Sequence, residues 1–173
     1  GKNTALLADI PNRPFFNLSI VYFYLIENPP FHGKATVLIR KSHMDAWNIV
    51  EEELYEAAYL NAPQLLQARI ENMSQVLDGI FPPGLFEDMI PMYVLTNREK
   101  LFGASCMLYP DELKLFAEKT GSDLFVLPSS VHEVILIPEK SNLNPQSFLD
   151  IVAEINHSQV PEEEVLADSV FFY

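Results

Sequence analysis

Apolar residues run along this chain in short blocks whose spacing changes several times, and each change predicts a new element. Asn3 to Asp9 (NTALLAD) reads as the end of a helix, and Pro11 to Pro14 (PNRP) stops it, because two prolines this close block helix continuation. Phe16 to Ile26 (FNLSIVYFYLI) predicts one well-buried strand from its β-branched and aromatic content. Asn28-Pro29-Pro30 and Gly33 punctuate, and Ala35 to Ile39 predicts the antiparallel neighbour. Ser42 is placed to cap a short turn through Trp47. Asn48 with Glu51 three residues on makes a capping box for a helix to about Leu60, with Leu54, Ala57 and Ala58 as its buried stripe.

The middle is less regular. Pro63 restarts a turn, Ser74 caps a short helix through Gly79, and Pro82-Pro83-Gly84 opens a loop to Pro91, so residues 80–91 are the expected internal break. Then the pattern sharpens. Met92 to Thr96 predicts a strand, Asn97 to Lys100 a polar turn, and Leu101 to Leu108 (LFGASCML) a return strand. Pro110 at the first helical position, Asp111 and Glu112 in the first turn and Gly121 past the end frame a helix whose inner stripe is Leu113, Phe116 and Ala117. Leu124 to Leu127 and Val131 to Ile137 form a hairpin around Pro128-Ser129-Ser130. Asn144 caps a helix with Phe148, Ile151, Val152 and Ile155 inward, and Val170 to Phe172 gives a last strand. Hairpins interleaved with helices predict an α+β fold with a mostly antiparallel sheet and helices packed on it, as one domain over residues 1–173.

Composition narrows the classes. With 49% apolar and 12% aromatic residues over 173 positions, the chain has the apolar surface to bury a core. Its single cysteine, Cys106, has no partner for a disulfide, which favours a reducing, cytoplasmic setting, and inside an apolar run it reads as an inert buried thiol. No secretory leader is visible, and the longest apolar run, Leu18 to Ile26, is far short of a membrane span. Net charge is −13, from 24 Asp and Glu against 11 Lys and Arg. That balance argues against nucleic acid and a membrane surface and favours a basic protein partner; self-association is the other expectation, through an exposed edge strand such as Val170 to Tyr173. Two acidic runs, Glu51 to Glu53 and Glu162 to Glu164, sit where helix starts are expected.

Chemistry-bearing motifs are sparse. The six glycines form neither a P-loop nor a dinucleotide fingerprint, and no spacing of His, Cys and carboxylates argues for a metal, so no cofactor is expected. Gly103-Ala104-Ser105 is followed by Cys106 and makes no nucleophile elbow. The most suggestive stretch is Leu127 to Glu133 (LPSSVHE). A catalytic reading takes Ser129 or Ser130 as nucleophile and His132 as base, with Glu133 a further candidate beside them. The plainer reading is turn chemistry, with His132 and Glu133 starting a strand and pointing to opposite faces. His43 and Trp47, four residues apart on a helix, form a ring pair, with Trp47 expected in the core. His32 reads as a loop residue and His157 as a helix-end residue. Asn97, Arg98 and Lys100 read as a hairpin tip or, in a chain this acidic, as a local basic contact point.

Taken together, MYVLTN (92–97), LFGASCMLYP (101–110), GSDLFVLPSSVHEVILIP (121–138), VLADSVFFY (165–173), PFFNLSIVYFYLI (14–26) and ELYEAAYLNAP (53–63) make the chain resemble the domain of unknown function numbered 5688, known from gut-dwelling Clostridia and relatives. The resemblance covers essentially the whole chain. It implies that the natural protein carries a further N-terminal region, in keeping with the helix stub at Asn3, and it transfers no catalytic residue. The reading that follows is a non-enzymatic cytoplasmic interaction or regulatory domain. Its rival is a small-molecule enzyme or hydrolase using Ser129 or Ser130 with His132.

Overall fold

A computed structural model describes residues 3–26, 35–76, 91–139 and 161–173. The chain divides into two compact units, Gly1–Asn61 and Ala62–Tyr173. The expected break at 80–91 falls almost wholly outside the described residues, as do the helix after Asn144, His32 and His157.

In the first unit, α1 (Thr4–Asp9) ends where the prolines predict. Asn12 seals its end, its side-chain Nδ2 donating to the carbonyls of Leu7 at 2.8 Å and Ile10 at 3.0 Å. Strands β1 (Asn12–Phe15) and β2 (Leu18–Val21) then pair antiparallel through a turn at Phe16, which holds a left-handed φ of 51°. The single strand expected over Phe16 to Ile26 is in fact two, because the chain breaks at Tyr22 between β2 and β3 (Phe23–Ile26). Tyr22 turns inward and joins Ile39 and Leu54 in a small core, and its hydroxyl donates to the Glu51 carboxylate. Nor are these strands well buried: in both, inward and exposed positions alternate, as in a sheet with one face in water. Strand β4 (Ala35–Leu38) pairs antiparallel with β3 as expected.

Capping differs from the expected pattern. Helix α2 (Lys41–Trp47) starts after Arg40 rather than at Ser42, and His43 Nδ1 accepts from the Arg40 backbone N–H at 3.2 Å. Asn48 does not start a helix; it ends α2 in the left-handed conformation its short polar side chain tolerates. Helix α3 (Glu51–Leu65) begins two residues later than a box at Asn48 requires, with Glu53 Oε2 accepting from Val50 N at 2.9 Å. Pro63 lies inside α3 instead of ending it, and of the expected stripe only Leu54 is buried, Ala57 and Ala58 being exposed. Glu51 and Glu52 do occupy a helix first turn, and both take Arg13 across from β1: Nε and Nη2 reach Glu51 at 3.1 and 2.8 Å, and Nη2 reaches Glu52 at 2.6 Å.

The second unit is built on an antiparallel sheet of five strands in the order β5-β6-β8-β7-β9. These are β5 (Ala68–Asn72), β6 (Tyr93–Asn97), β7 (Leu124–Leu127), β8 (Val134–Pro138) and β9 (Phe171–Phe172). The fold class is α+β, as the hairpin grammar predicts. Successive residues of the central strands feed opposite faces. Leu124, Val126, Val134 and Leu136 join Leu95 and Phe116 in one cluster, whereas Leu127, Ile135 and Ile137 form another. Helix α4 (Met73–Val76) follows β5, with Asn72 Oδ1, rather than Ser74, acting as the cap by accepting from Ser74 N at 2.9 Å. Helix α5 (Glu112–Thr120) ends on Gly121 at φ 62° as expected; Pro110 lies outside it and Asp111 precedes its first turn.

Leu101 to Leu108 is not a return strand. After β6, Asn97 is fully buried and its side chain satisfies the loop backbone, accepting from Glu99 N and Leu101 N and donating to Leu101 O at 2.7 Å. The chain passes through left-handed Lys100 and Phe102 into a 3₁₀ helix, Gly103–Leu108. β6 pairs instead with β5, which has no counterpart in the hydropathy pattern, and with β8.

Candidate functional site

The residues singled out for chemistry, Ser129 to Glu133, form the connection from β7 to β8. His132 and Glu133 precede β8 rather than starting it. The connection is clamped from outside. Ser130 bridges Val165, Val131 N donates to Glu164 O at 2.9 Å, and Leu166 N and Ala167 N donate to the carbonyls of Ser129 and Pro128. The acidic run at Glu162 to Glu164 therefore lies in a turn and leads into this clamp instead of opening a helix.

Ser130 is 6% exposed, and its hydroxyl oxygen accepts from His132 N at 3.1 Å and Glu133 N at 3.2 Å, which is turn-forming work. Ser129 is 1% exposed. The His132 ring engages different groups. Its Nδ1 accepts from Phe102 N at 3.3 Å, its plane stacks on Phe102 at 5.7 Å and 11°, and its Nε2 lies 3.7 Å from Glu164 Oε1. An imidazole whose Nδ1 accepts carries its neutral-state proton on Nε2, here facing the carboxylate. Its one lone pair is thus occupied, and His132 would have to leave the Phe102 amide before it could take a proton from any hydroxyl. The structure brings together His132, Phe102 and Glu164; Ser130 reaches only the backbone of His132, and half-buried Glu133 enters through its own amide. Phe102 and Glu164 carry no local motif and lie about thirty residues either side of His132, so sequence spacing offers no route to them.

Around this connection the packing is tight. The His132 carbonyl accepts from Thr96 Oγ1 at 2.7 Å, and a Cβ on Gly103 would overlap both groups and come within 2.9 Å of Asn97 N. Cys106 on the same 3₁₀ helix is fully buried, and burial pushes its thiol up to about 12, as an inert thiol requires. Arg98 and Lys100 are exposed, while Asn97 is structural.

Two further surface features belong one to each unit. In the first unit, Trp47 is 46% exposed rather than in the core. It lies against His43 as the helical spacing predicts, at 5.5 Å and 31°, and Tyr24 of β3 stands nearly perpendicular to both rings. In the second unit, among the described residues, β9 forms the outer edge of the sheet. Leu124 and Tyr173 exchange both backbone hydrogen bonds at 2.9 Å, so Phe172, opposite Phe125, turns its own N–H and C=O to the open side. Its side chain is 60% exposed.

Among the described residues, no group of three or more His, Cys, Asp or Glu is placed to hold a metal ion, and no helix is long and apolar enough to cross a membrane. Compared with known proteins, residues 1–173 match the model of the family of unknown function DUF5688. No curated protein and no solved structure matches the chain.

Proposed function

We propose, for a chain that belongs to DUF5688, a non-catalytic cytoplasmic interaction domain that binds a basic partner along the open edge of β9. The observation that carries this reading is the edge itself. Among the described residues, Phe172 presents an unsatisfied donor and acceptor beside an exposed ring, the arrangement by which a sheet recruits an extended segment. Charge selects the partner. Residues 62–173 hold 17 of the 24 acidic side chains and 6 of the 11 basic ones, a field that attracts a Lys- or Arg-bearing strand and repels a second copy of the same chain. The cytoplasmic placement rests on one buried, unpaired cysteine.

The test uses the intact chain and two extended peptides of alternating pattern, one Val/Lys and one Val/Glu. The Val/Lys peptide should bind and weaken with salt. Phe172→Pro should abolish binding while leaving the fold intact, because the amide it removes is not used by β7. Equal binding of the two peptides, or unchanged binding by Phe172→Pro, would sink the reading. A concentration-dependent dimer in light scattering, lost in Phe172→Pro, would replace the basic partner with self-association.

A further inference from the structure

The aromatic group of the first unit lies on the solvent side of its hairpin. Along β3, Phe23 and Leu25 face inward and Tyr24 and Ile26 outward, while Met44 of α2 packs on the Tyr22–Ile39–Leu54 core. Tyr24, 37% exposed, and Trp47 meet at 5.8 Å with their planes at 72°. The contact is edge to face, and the two planes, nearly at right angles, bound a corner. His43 extends one wall, lying tilted on Trp47 at 31° and edge-on to Tyr24 at 6.4 Å. With Nδ1 accepting from Arg40 N, its ring is the Nε2–H tautomer, which needs no charge to hold its place.

The chain itself shows what a π-face of this unit attracts. The Arg13 guanidinium sits 3.8 Å from the centroid of the Tyr55 ring. Tyr24 and Trp47 have no such cover among the described residues. The two cations at the start of α2 are committed elsewhere, Arg40 to Asp9 and Lys41 to the Ala8 carbonyl at 2.7 Å. A net charge of −13 raises the local concentration of cations and repels anions.

From this geometry we infer that Tyr24, Trp47 and His43 form a binding corner for a methylated ammonium group, as carried by a trimethyl-lysine side chain or a choline headgroup. Such a group is bulky, weakly hydrated and positive. It fills the corner by van der Waals contact and interacts with both ring quadrupoles, while a bare ammonium gives up more hydration to reach the same place. This site is separate from the β9 edge, and its success or failure leaves the edge reading untouched.

Trp47 is the only tryptophan in the chain, so its fluorescence reports on the corner directly. The intact chain is titrated with choline chloride, with 3,3-dimethylbutan-1-ol (the uncharged carbon isostere of choline) and with sodium chloride at matched ionic strength. Choline should quench saturably, with half-saturation in the millimolar range and about tenfold tighter than the isostere. Tyr24→Leu should weaken choline at least as much, and Tyr24→Phe, which keeps the π-face, should not. Ring-current shifts of the choline methyl protons, read by NMR, test the same contact without relying on a variant. A trimethyl-lysine peptide and its unmethylated form make the second arm: the source that binds tighter, peptide or choline, is the preferred one. Equal affinity for choline and its isostere, unsaturable quenching by every methylated cation, or full affinity in a folded Tyr24→Leu would overturn the inference.

Discussion

Replacing Gly103 with alanine tests the packing around the β7–β8 connection most directly. The new methyl group would overlap Thr96 Oγ1 and the His132 carbonyl and crowd Asn97 N. Two of those three atoms belong to backbone held in place by β6 and by the clamp at Glu164 to Ala167, so no rotamer change relieves them. Overpacking of this kind costs about 1–3 kcal/mol. Displacing Thr96 Oγ1 also breaks its 2.7 Å bond to His132 O, and leaving a buried hydroxyl unpaired adds about 1–3 kcal/mol. The expected loss is therefore roughly 2–6 kcal/mol, a large part of the 5–15 kcal/mol typical of a folded domain. In urea, followed by far-UV circular dichroism, a slope near 2 kcal/mol/M turns this into a midpoint lowered by about 2 M. Thr96→Ala in the same background removes one of the three overlaps, so the double variant should be less destabilised than the sum of the two singles. A midpoint within about 0.3 M of the parent, or strict additivity in the double variant, would refute the close approach assigned to Gly103.

Three further outcomes are expected. Ser130→Ala leaves the amides of His132 and Glu133 without their acceptor and should cost about 1–2 kcal/mol in the same urea experiment; a neutral result would mean that Ser130 does not build the turn. Glu51 is held below the ordinary carboxylate range, first by its hydrogen bonds from Arg13 and then by Tyr22 against the opposing effect of burial. Its stabilisation is thus complete above the unfolded value of about 4.5 and is lost as pH falls through the lower folded value. The stability gap between the parent and Glu51→Gln should narrow on acidification below about pH 4, and a gap that stays constant down to pH 2 would contradict the pairing. Cys106, its thiol raised to about 12 by burial, should resist a thiol reagent at pH 8 until urea is added; stoichiometric labelling of the native chain would show that the 3₁₀ helix opens.

What can be read from the chain follows from how local each determinant is. The β7–β8 hairpin is legible because Leu124 to Leu127 and Val134 to Pro138 are apolar on both faces and flank a Pro-Ser-Ser turn. The end of α5 is legible because Gly121 alone supplies a costless left-handed cap. Leu101 to Leu108 has strand composition, but the buried Asn97 side chain and the close approach at Gly103 decide its conformation, and both are tertiary. β5 stays hidden for the opposite reason. It is an edge strand whose outward Arg69 and Glu71 pair with each other, so its sequence, ARIEN, reads as a polar segment. Trp47 lies outside its expected place in the core because helical spacing identifies its neighbour His43 and says nothing of which side faces water. The Ser129–His132 stretch is legible as a turn, with Ser130 accepting from two backbone amides, yet the groups that define the His132 ring, Phe102 and Glu164, come from loops that no short motif joins to it.

The strand order β5-β6-β8-β7-β9 also bears on how the second unit is synthesised and folded. Its central pairing joins Leu95 to Val134, and β9 joins a β7 laid down about forty-five residues earlier, so the sheet is assembled from distant contacts and should nucleate slowly. On the ribosome, β5 to β8 have emerged well before β9, and during that interval the β7 edge, with Phe125 and Val126, lacks the strand that pairs with it. The short β9 therefore acts as a late-arriving guard for the nascent sheet. A chain stopped before residue 171 would lose that cover together with the packing of Phe171 on the main core cluster, which makes aggregation during expression the first symptom of truncation.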